Sequence, residues 1–284
     1  MNVYELINWA VKTLEMADIK EAKFEAREIM MYVMKCNMCD LLNMRDKELD
    51  YINENDFRNI IKRRTTHYPL QYITGSTGFY GFEFLCEEGV LIPRFDTENL
   101  VADALLETEN QDKTDVLDVC TGTGCVGITY KLMREKSLHN NDEVTISDIS
   151  SKAIELAGRN AVKLGADIKI VRSDLFGELG NARYDMIISN PPYIKTEDIK
   201  YLMKDVRDFE PMLAFDGSSD GLEFYRRISN AAPEHLKVNG KIEFEIGSDE
   251  TESVKKILSE AGFKDIVCKK DLNGLDRIVK GTLK

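Results

Sequence analysis

Apolar residues recur at helical spacing from Asn2 to about Thr74. Tyr4, Ile7, Val11 and Leu14 predict one helix, Phe24, Ile29, Val33 and Met34 a second, and Phe57, Ile60 and Ile61 another. Asp56 and neighbouring asparagines offer capping oxygens. Phe79-Tyr80-Gly81-Phe82-Glu83-Phe84 then reads as extended chain, with glycines at 75, 78, 81 and 89 punctuating turns. The pattern predicts a helical domain over 1–75 and a β-hairpin linker over 76–92.

From about Asp96 the period changes. Thr97 to Glu107 is a helix candidate, and Val116-Leu117-Asp118-Val119 is a short apolar strand running into Thr121-Gly122-Thr123-Gly124. Strands are expected at 144–147, 168–171, 184–189, 241–246, 265–269 and 277–280. Helices are expected near 125–135, 151–164, 220–236 and 250–261. Alternation of this kind predicts an α/β fold over 93–284, a doubly wound and mainly parallel sheet.

Composition narrows the function. Of 284 residues, 43% are hydrophobic and 31% charged, which is enough for a sizeable core. The net charge is −12, and the first 90 residues and the remainder are both acidic. Such a chain is a poor candidate for coating phosphate backbones, since that affinity comes from clustered Lys and Arg. No apolar run approaches the ~20 residues of a membrane span. The N-terminus contains Glu5 and lacks a basic stretch followed by a long apolar one, so it does not read as a signal peptide. The six cysteines (36, 39, 86, 120, 125, 268) are too few and irregular for a disulfide framework, and a reduced, cytoplasmic protein is expected. Cys36 and Cys39 have CxxC spacing, but His67, His139 and His235 stand singly, and no metal site is expected. Lys62-Arg63-Arg64, with His67 nearby, reads as the solvated end of a helix, or as a contact for an acidic partner or ribosomal RNA.

Four motifs fall at predicted strand ends, where doubly wound sheets bind ligands. The first is Asp118-Val119-Cys120-Thr121-Gly122-Thr123-Gly124. Its glycines let the backbone approach a ligand, and the next helix offers unbonded N–H groups. Gly122 to Gly127 also fits a dinucleotide fingerprint on its face, so the loop alone is ambiguous. The second is Asp148, which can accept from both hydroxyls of a ribose or serve as a helix cap beside Ser150 and Ser151. The third is Ser173-Asp174-Leu175-Phe176, either a plain turn or an adenine site, with Asp174 accepting from the amino group and Leu175 and Phe176 in apolar contact. The fourth is Asn190-Pro191-Pro192-Tyr193. Two prolines make a rigid strand exit, the proline carbonyl remains an acceptor, Asn190 supplies a second, and Tyr193 offers a flat face. Together these suit a planar group bearing an NH₂.

The glycine loop, Asp148 and Asn-Pro-Pro-Tyr resemble those of class I S-adenosylmethionine-dependent methyltransferases that act on a planar nitrogen. Three further blocks, Pro69 to Gly75, Leu91 to Glu98 and Phe209 to Gly217, are similar to those of the release-factor glutamine N5-methyltransferase family (PrmC/HemK), and the likeness covers nearly the whole chain. Two positions depart from the family pattern: Phe95 stands where Pro is usual, and Cys120 where Gly is usual. Cys120 is expected to keep the loop with an ordinary negative φ.

The resemblance implies a Rossmann-like catalytic domain and a helical substrate-docking domain. It also implies methyl transfer from S-adenosylmethionine, leaving S-adenosylhomocysteine, to the glutamine of the Gly-Gly-Gln loop of peptide-chain release factors. By motif position, Cys120, Thr121, Gly122, Thr123 and Gly124 line the methionine and ribose, Asp148 holds the ribose hydroxyls, and Asp174 and Leu175 hold the adenine. Asn190, which also borders the cofactor, and the Pro191 carbonyl hold the glutamine NH₂, with Pro192 in the substrate site and Tyr193 packing on the amide. A monomer with no membrane and no specific nucleic-acid binding is expected. The alternative is a nucleic-acid enzyme methylating adenine or guanine amino groups, against which the acidity argues. A non-catalytic nucleotide binder does not need two acceptors at that strand end, and a dehydrogenase lacks its acid/base pair.

Overall fold

Asn2 opens the first helix by accepting from the Glu5 backbone N–H while the Glu5 carboxylate accepts from that of Asn2, a reciprocal cap. Asn37 and Asp50 cap two further helices in the same region. Asp56, expected among the capping oxygens, lies inside a helix instead, because Asp50 takes that start. The computed structural model describes residues 1–137 and 141–284, and His139 lies outside the described residues. The helices are α1 (Val3–Met16), α2 (Ala22–Met34), α3 (Met38–Asn43), α4 (Tyr51–Arg64) and α5 (Leu70–Thr74), and the hairpin is β1 (Ser76–Phe79) and β2 (Phe82–Leu85). Then follow α6 (Glu98–Glu107), β3 (Asp115–Val119), α7 (Cys125–Lys136), β4 (Glu143–Asp148), α8 (Ser151–Leu164) and β5 (Lys169–Arg172). Next come β6 (Tyr184–Ser189), α9 (Lys204–Phe209), α10 (Glu223–His235), β7 (Leu236–Glu245), α11 (Thr251–Glu260), β8 (Phe263–Lys270) and β9 (Asp276–Leu283).

The chain forms two compact units, one of Met1–Ser76 with Met203–Phe209, the other of Thr77–Leu202 with Glu210–Lys284. In the helical unit α1 buries Val3, Leu6, Ala10 and Leu14, and α2 buries Ala22, Ala26, Ile29 and Met30. The buried faces are rotated from those expected, and Tyr4 and Phe24 are exposed. The alanines decide this, since small residues let helix axes approach while large apolar residues take the flanks. Phe57 and Ile61 of α4 complete the core.

In the second unit the strand order is β5-β4-β3-β6-β7-β9-β8, with β3 to β7 parallel and β9 antiparallel to both its neighbours β7 and β8. The chain enters at β3, builds outward through β4 and β5, then returns to β6 on the other side. The reversal between β3 and β6 leaves a crevice at their carboxyl ends. One core, on one face, holds Leu100, Val101, Val116, Tyr130 and Ile146, and the other holds Leu117, Ile187, Tyr225, Phe244 and Leu258. The hairpin expected as a linker packs into the first of these through Phe79 and Phe84, edge to face at 5.9 Å.

Candidate active site

At the end of β3 the backbone must turn sharply to bring its next amides over the crevice. Cys120 makes that turn at φ 62°, followed by Gly122 at 57° and Gly124 at 83°. The expectation of an ordinary φ at Cys120 is therefore wrong: the left-handed conformation is imposed by the loop path, at a cost of about 1–2 kcal/mol for a residue with a Cβ. Asp118 holds the turn from inside, being almost wholly buried, and its Oδ2 accepts from the Thr121 hydroxyl at 2.5 Å and from the Gly127 N–H at 2.9 Å. Burial pushes its carboxyl up to about 7. A Cβ on Gly122 would meet nothing within 4 Å, one on Gly124 would lie 2.6 Å from the Ile128 side chain, and one on Gly127 2.4 Å from that of Ile146. Gly122 thus keeps the loop open, Gly124 leaves room for the Ile128 and Ala157 side chains of α7 and α8, and Gly127 lets α7 pack onto the sheet. Gly124 precedes α7 and stands off the cleft wall, which takes Cys120, Thr121, Gly122 and Thr123.

Asp148, at the end of β4, accepts from the Gly122 N–H through Oδ2 at 3.0 Å and from the Ser150 N–H through Oδ1 at 2.9 Å. Ser150 takes the cap of α8, accepting from Ala153, so Asp148 is left on the cleft wall. Each of its oxygens has capacity to accept a further hydrogen bond. Burial raises its carboxyl above the usual range. Asp174 and Leu175 also line the wall, Leu175 with a strained φ of 51°. The Asp174 carboxylate accepts from Arg227 at 2.8 Å. Phe176 does not reach the cleft: it stacks on His235 with ring centres 4.7 Å apart, in the core beneath.

Asn190 follows β6, and it and Pro192 border the cleft, whereas Pro191 and Tyr193, their chain neighbours, do not line this space. The Asn190 Nδ2 donates to the Thr97 hydroxyl at 3.1 Å. Tyr193 Oη donates to Glu245 Oε1 at 3.4 Å, so its ring is anchored by the phenol. The segment after the motif runs beside Phe215–Ser218, with Ile194 donating to the Phe215 carbonyl and Gly217 to that of Ile194, each at 2.8 Å. A Cβ on Gly217 would lie 2.8 Å from the Tyr193 backbone, which accounts for glycine there. The Glu210 carboxylate accepts from the Ile92 N–H at 3.1 Å and from Arg94 at 2.5 Å, tying two of the sequence blocks together at the cleft. Reading by motif assigned no role to Thr97, Glu210, Arg227 or Glu245. The first two lie inside quoted blocks, but nothing in the sequence marked Glu245.

The basic run 62–64 closes α4 with Lys62 and Arg63 exposed and Arg64 turned inward. Arg64 is 4% exposed and pairs with Glu25 at 2.5 Å and Asp205 at 2.8 Å, Arg63 stacks on Tyr68, and His67 Nδ1 lies 3.0 Å from Asp205. Cys36 is half-buried and Cys39 exposed. No group of metal-binding side chains forms among the described residues, and no described helix is long and apolar enough to cross a membrane.

A family model described as the PrmC N-terminal domain matches residues 5–75, and one described as the methyltransferase small domain matches 96–207. The release factor glutamine methyltransferase of Geobacter sulfurreducens is 36% identical, over 99% of this chain and 96% of that protein. That of Clostridium botulinum is 38% identical, over 94% of each. Among solved structures, a methyltransferase from Pyrococcus furiosus superposes with a TM-score of 0.52 at 19% identity, over 72% of this chain and 90% of that one, a likeness of fold.

Proposed function

The chain belongs to the release factor glutamine methyltransferase family, and from that premise we propose that it methylates the side-chain amide nitrogen (N5) of the glutamine in the Gly-Gly-Gln loop of peptide-chain release factors. It is an S-adenosylmethionine-dependent enzyme. The observation that carries the finer reading is Asn190 on the wall of the switch-point cleft, fixed beside the open glycine loop and Asp148.

The cleft fits the methyl donor. The space in front of Gly122 is open, and Asp148 keeps acceptors for hydroxyl groups while its negative charge suits a cation. Cys120 to Thr123 border the methionine and ribose, with Gly124 setting the loop behind them, Asp148 takes the ribose hydroxyls, and Asp174 and Leu175 flank the adenine. S-adenosylmethionine supplies an electrophilic methyl on its sulfonium. The remaining work falls to this chain.

An amide nitrogen is a poor nucleophile, because its lone pair is spread into the carbonyl. Asn190 Oδ1 and the Pro191 carbonyl accept its two hydrogens, increase density on nitrogen, and aim it at the methyl. Pro192 holds the strand exit rigid, and the anchored Tyr193 ring covers the amide. Holding the partners at reaction distance contributes several kcal/mol, and acceptors matched to the positive charge developing on nitrogen add to it. The surplus proton leaves after transfer, so no strong base is needed.

Asn190→Ala tests this reading. Release-factor methylation should fall at least about 100-fold, with S-adenosylmethionine affinity by calorimetry within several-fold. Near-normal turnover by that variant excludes the amide clamp. In the same assay, methyl transfer to DNA or tRNA in place of release factor would support the nucleic-acid alternative.

A further inference from the structure

Asn190 has two ends of similar shape and opposite hydrogen-bonding sense. If the amide turned over, its NH₂ would face the NH₂ of the substrate and the clamp would repel what it must hold. Something must therefore fix the polarity of this side chain. In the structure Nδ2 donates to the Thr97 hydroxyl at 3.1 Å, which leaves Oδ1 as the end available to accept. Thr97 closes the short 3-10 turn Phe95–Thr97 and is 3% exposed. Its hydroxyl has one hydrogen to give. Behind it stands Glu245, the last residue of β7, 2% exposed. Ser189 pairs with Phe244 across β6 and β7, so Asn190 and Glu245 come next on adjacent strands. The Glu245 Oε2 has no hydrogen-bond partner among the described residues. Tyr193 reaches the same carboxyl through Oε1. The Thr97 hydroxyl accepts from the Asn190 amide, and this contact holds the Nδ2 end in place.

We infer that Thr97 is a positioning residue for methyl transfer: by accepting from Nδ2 its hydroxyl locks the Asn190 amide with Oδ1 toward the substrate. The inference rests on the glutamine-methylation reading for its consequence, but the orientation itself is a property of the apoprotein. Thr97→Val keeps the shape and removes the hydroxyl. Thr97→Ser keeps the hydroxyl.

The decisive measurement is made on the full chain labelled with ¹⁵N-asparagine, with the Asn190 side-chain signals assigned by their loss in Asn190→Ala. In the wild type and in Thr97→Ser, one of the two NH₂ protons is slowed against solvent exchange, and in Thr97→Val that protection disappears. Wild-type protection persisting in Thr97→Val overturns the inference, and loss of protection in Thr97→Ser as well as in Thr97→Val overturns it too. Turnover gives the second reading. Thr97→Val should lower kcat on release factor by about 10- to 100-fold with the KM for S-adenosylmethionine nearly unchanged, and Thr97→Ser should recover most of it. In an Asn190→Ala background Thr97→Val should cost nothing further, because its effect passes through Asn190. Additive losses overturn the coupling. A wild type that fails to methylate release factor while its Asn190 protons behave as described contradicts the functional reading and leaves the lock standing.

Discussion

Asp148 shows how a single carboxylate is held for use. Its oxygens are oriented by the amides of Gly122 and Ser150, so the geometry of the glycine loop and that of the acid are one arrangement. Asp148→Ala should weaken S-adenosylmethionine binding by roughly 10- to 100-fold, the worth of hydrogen bonds to a charged acceptor. Calorimetry checks this, and unchanged affinity would exclude the ribose role. The places of Asp148 and Asn190 at strand ends on the cleft wall were legible in the sequence because each is a polar residue where an apolar strand stops. Cys120 was not legible in its backbone: its φ is set by where the chain must go next, and nothing about a cysteine announces a left-handed turn. Glu245 was hidden for another reason. It sits in Phe-Glu-Ile-Gly, reads as part of a strand, and gains its meaning from Tyr193, far away in the chain, whose phenol donates to it.

At the level of elements, the strands and helices of the catalytic unit lie close to where the apolar pattern put them, since buried parallel strands are short apolar runs and need little else to be recognised. The helical unit was harder. Spacing identified its helices, but the faces they bury depend on Ala10, Ala22 and Ala26, whose small side chains carry little signal in the sequence and decide the packing in space. Gly127 makes the same point in the catalytic unit. It lies on α7 where the helix meets Ile146 of β4 and the Asp118 side chain. Gly127→Ala should destabilise the protein by about 1–3 kcal/mol through overpacking against a β-branched neighbour that cannot withdraw. It should also disturb the Asp118 contact that holds the loop. Chemical denaturation measures the first effect, and a stability equal to wild type would mean the helix can lift off the sheet at no cost.

For the whole molecule, the net charge of −12 has a buried counterpart. Burial pushes the carboxyls of Asp118, Glu245 and Glu250 up to about 7. Each of these binds a proton more tightly when folded than when unfolded. Their contribution to stability is therefore complete below the unfolded carboxylate range and is lost as pH rises through about 7. Denaturant unfolding followed from pH 5 to pH 8 should show this contribution declining across that window, and Glu245→Gln should flatten the decline. A Glu245→Gln profile as steep as that of the wild type contradicts the assignment. The acidity also bears on the choice of substrate, and the burial and ion pairing of Arg64 remove one charge from the dense basic run in the sequence.

The central claim is methyl transfer to one glutamine, and peptide mass spectrometry reads it directly. Release factor is incubated with this protein and S-adenosylmethionine, digested and sequenced by fragmentation. The account predicts a gain of one CH₂ on the glutamine side chain of the Gly-Gly-Gln peptide, absent when that glutamine is replaced by alanine. An unmodified peptide, or a methyl group placed on any other residue, would contradict it.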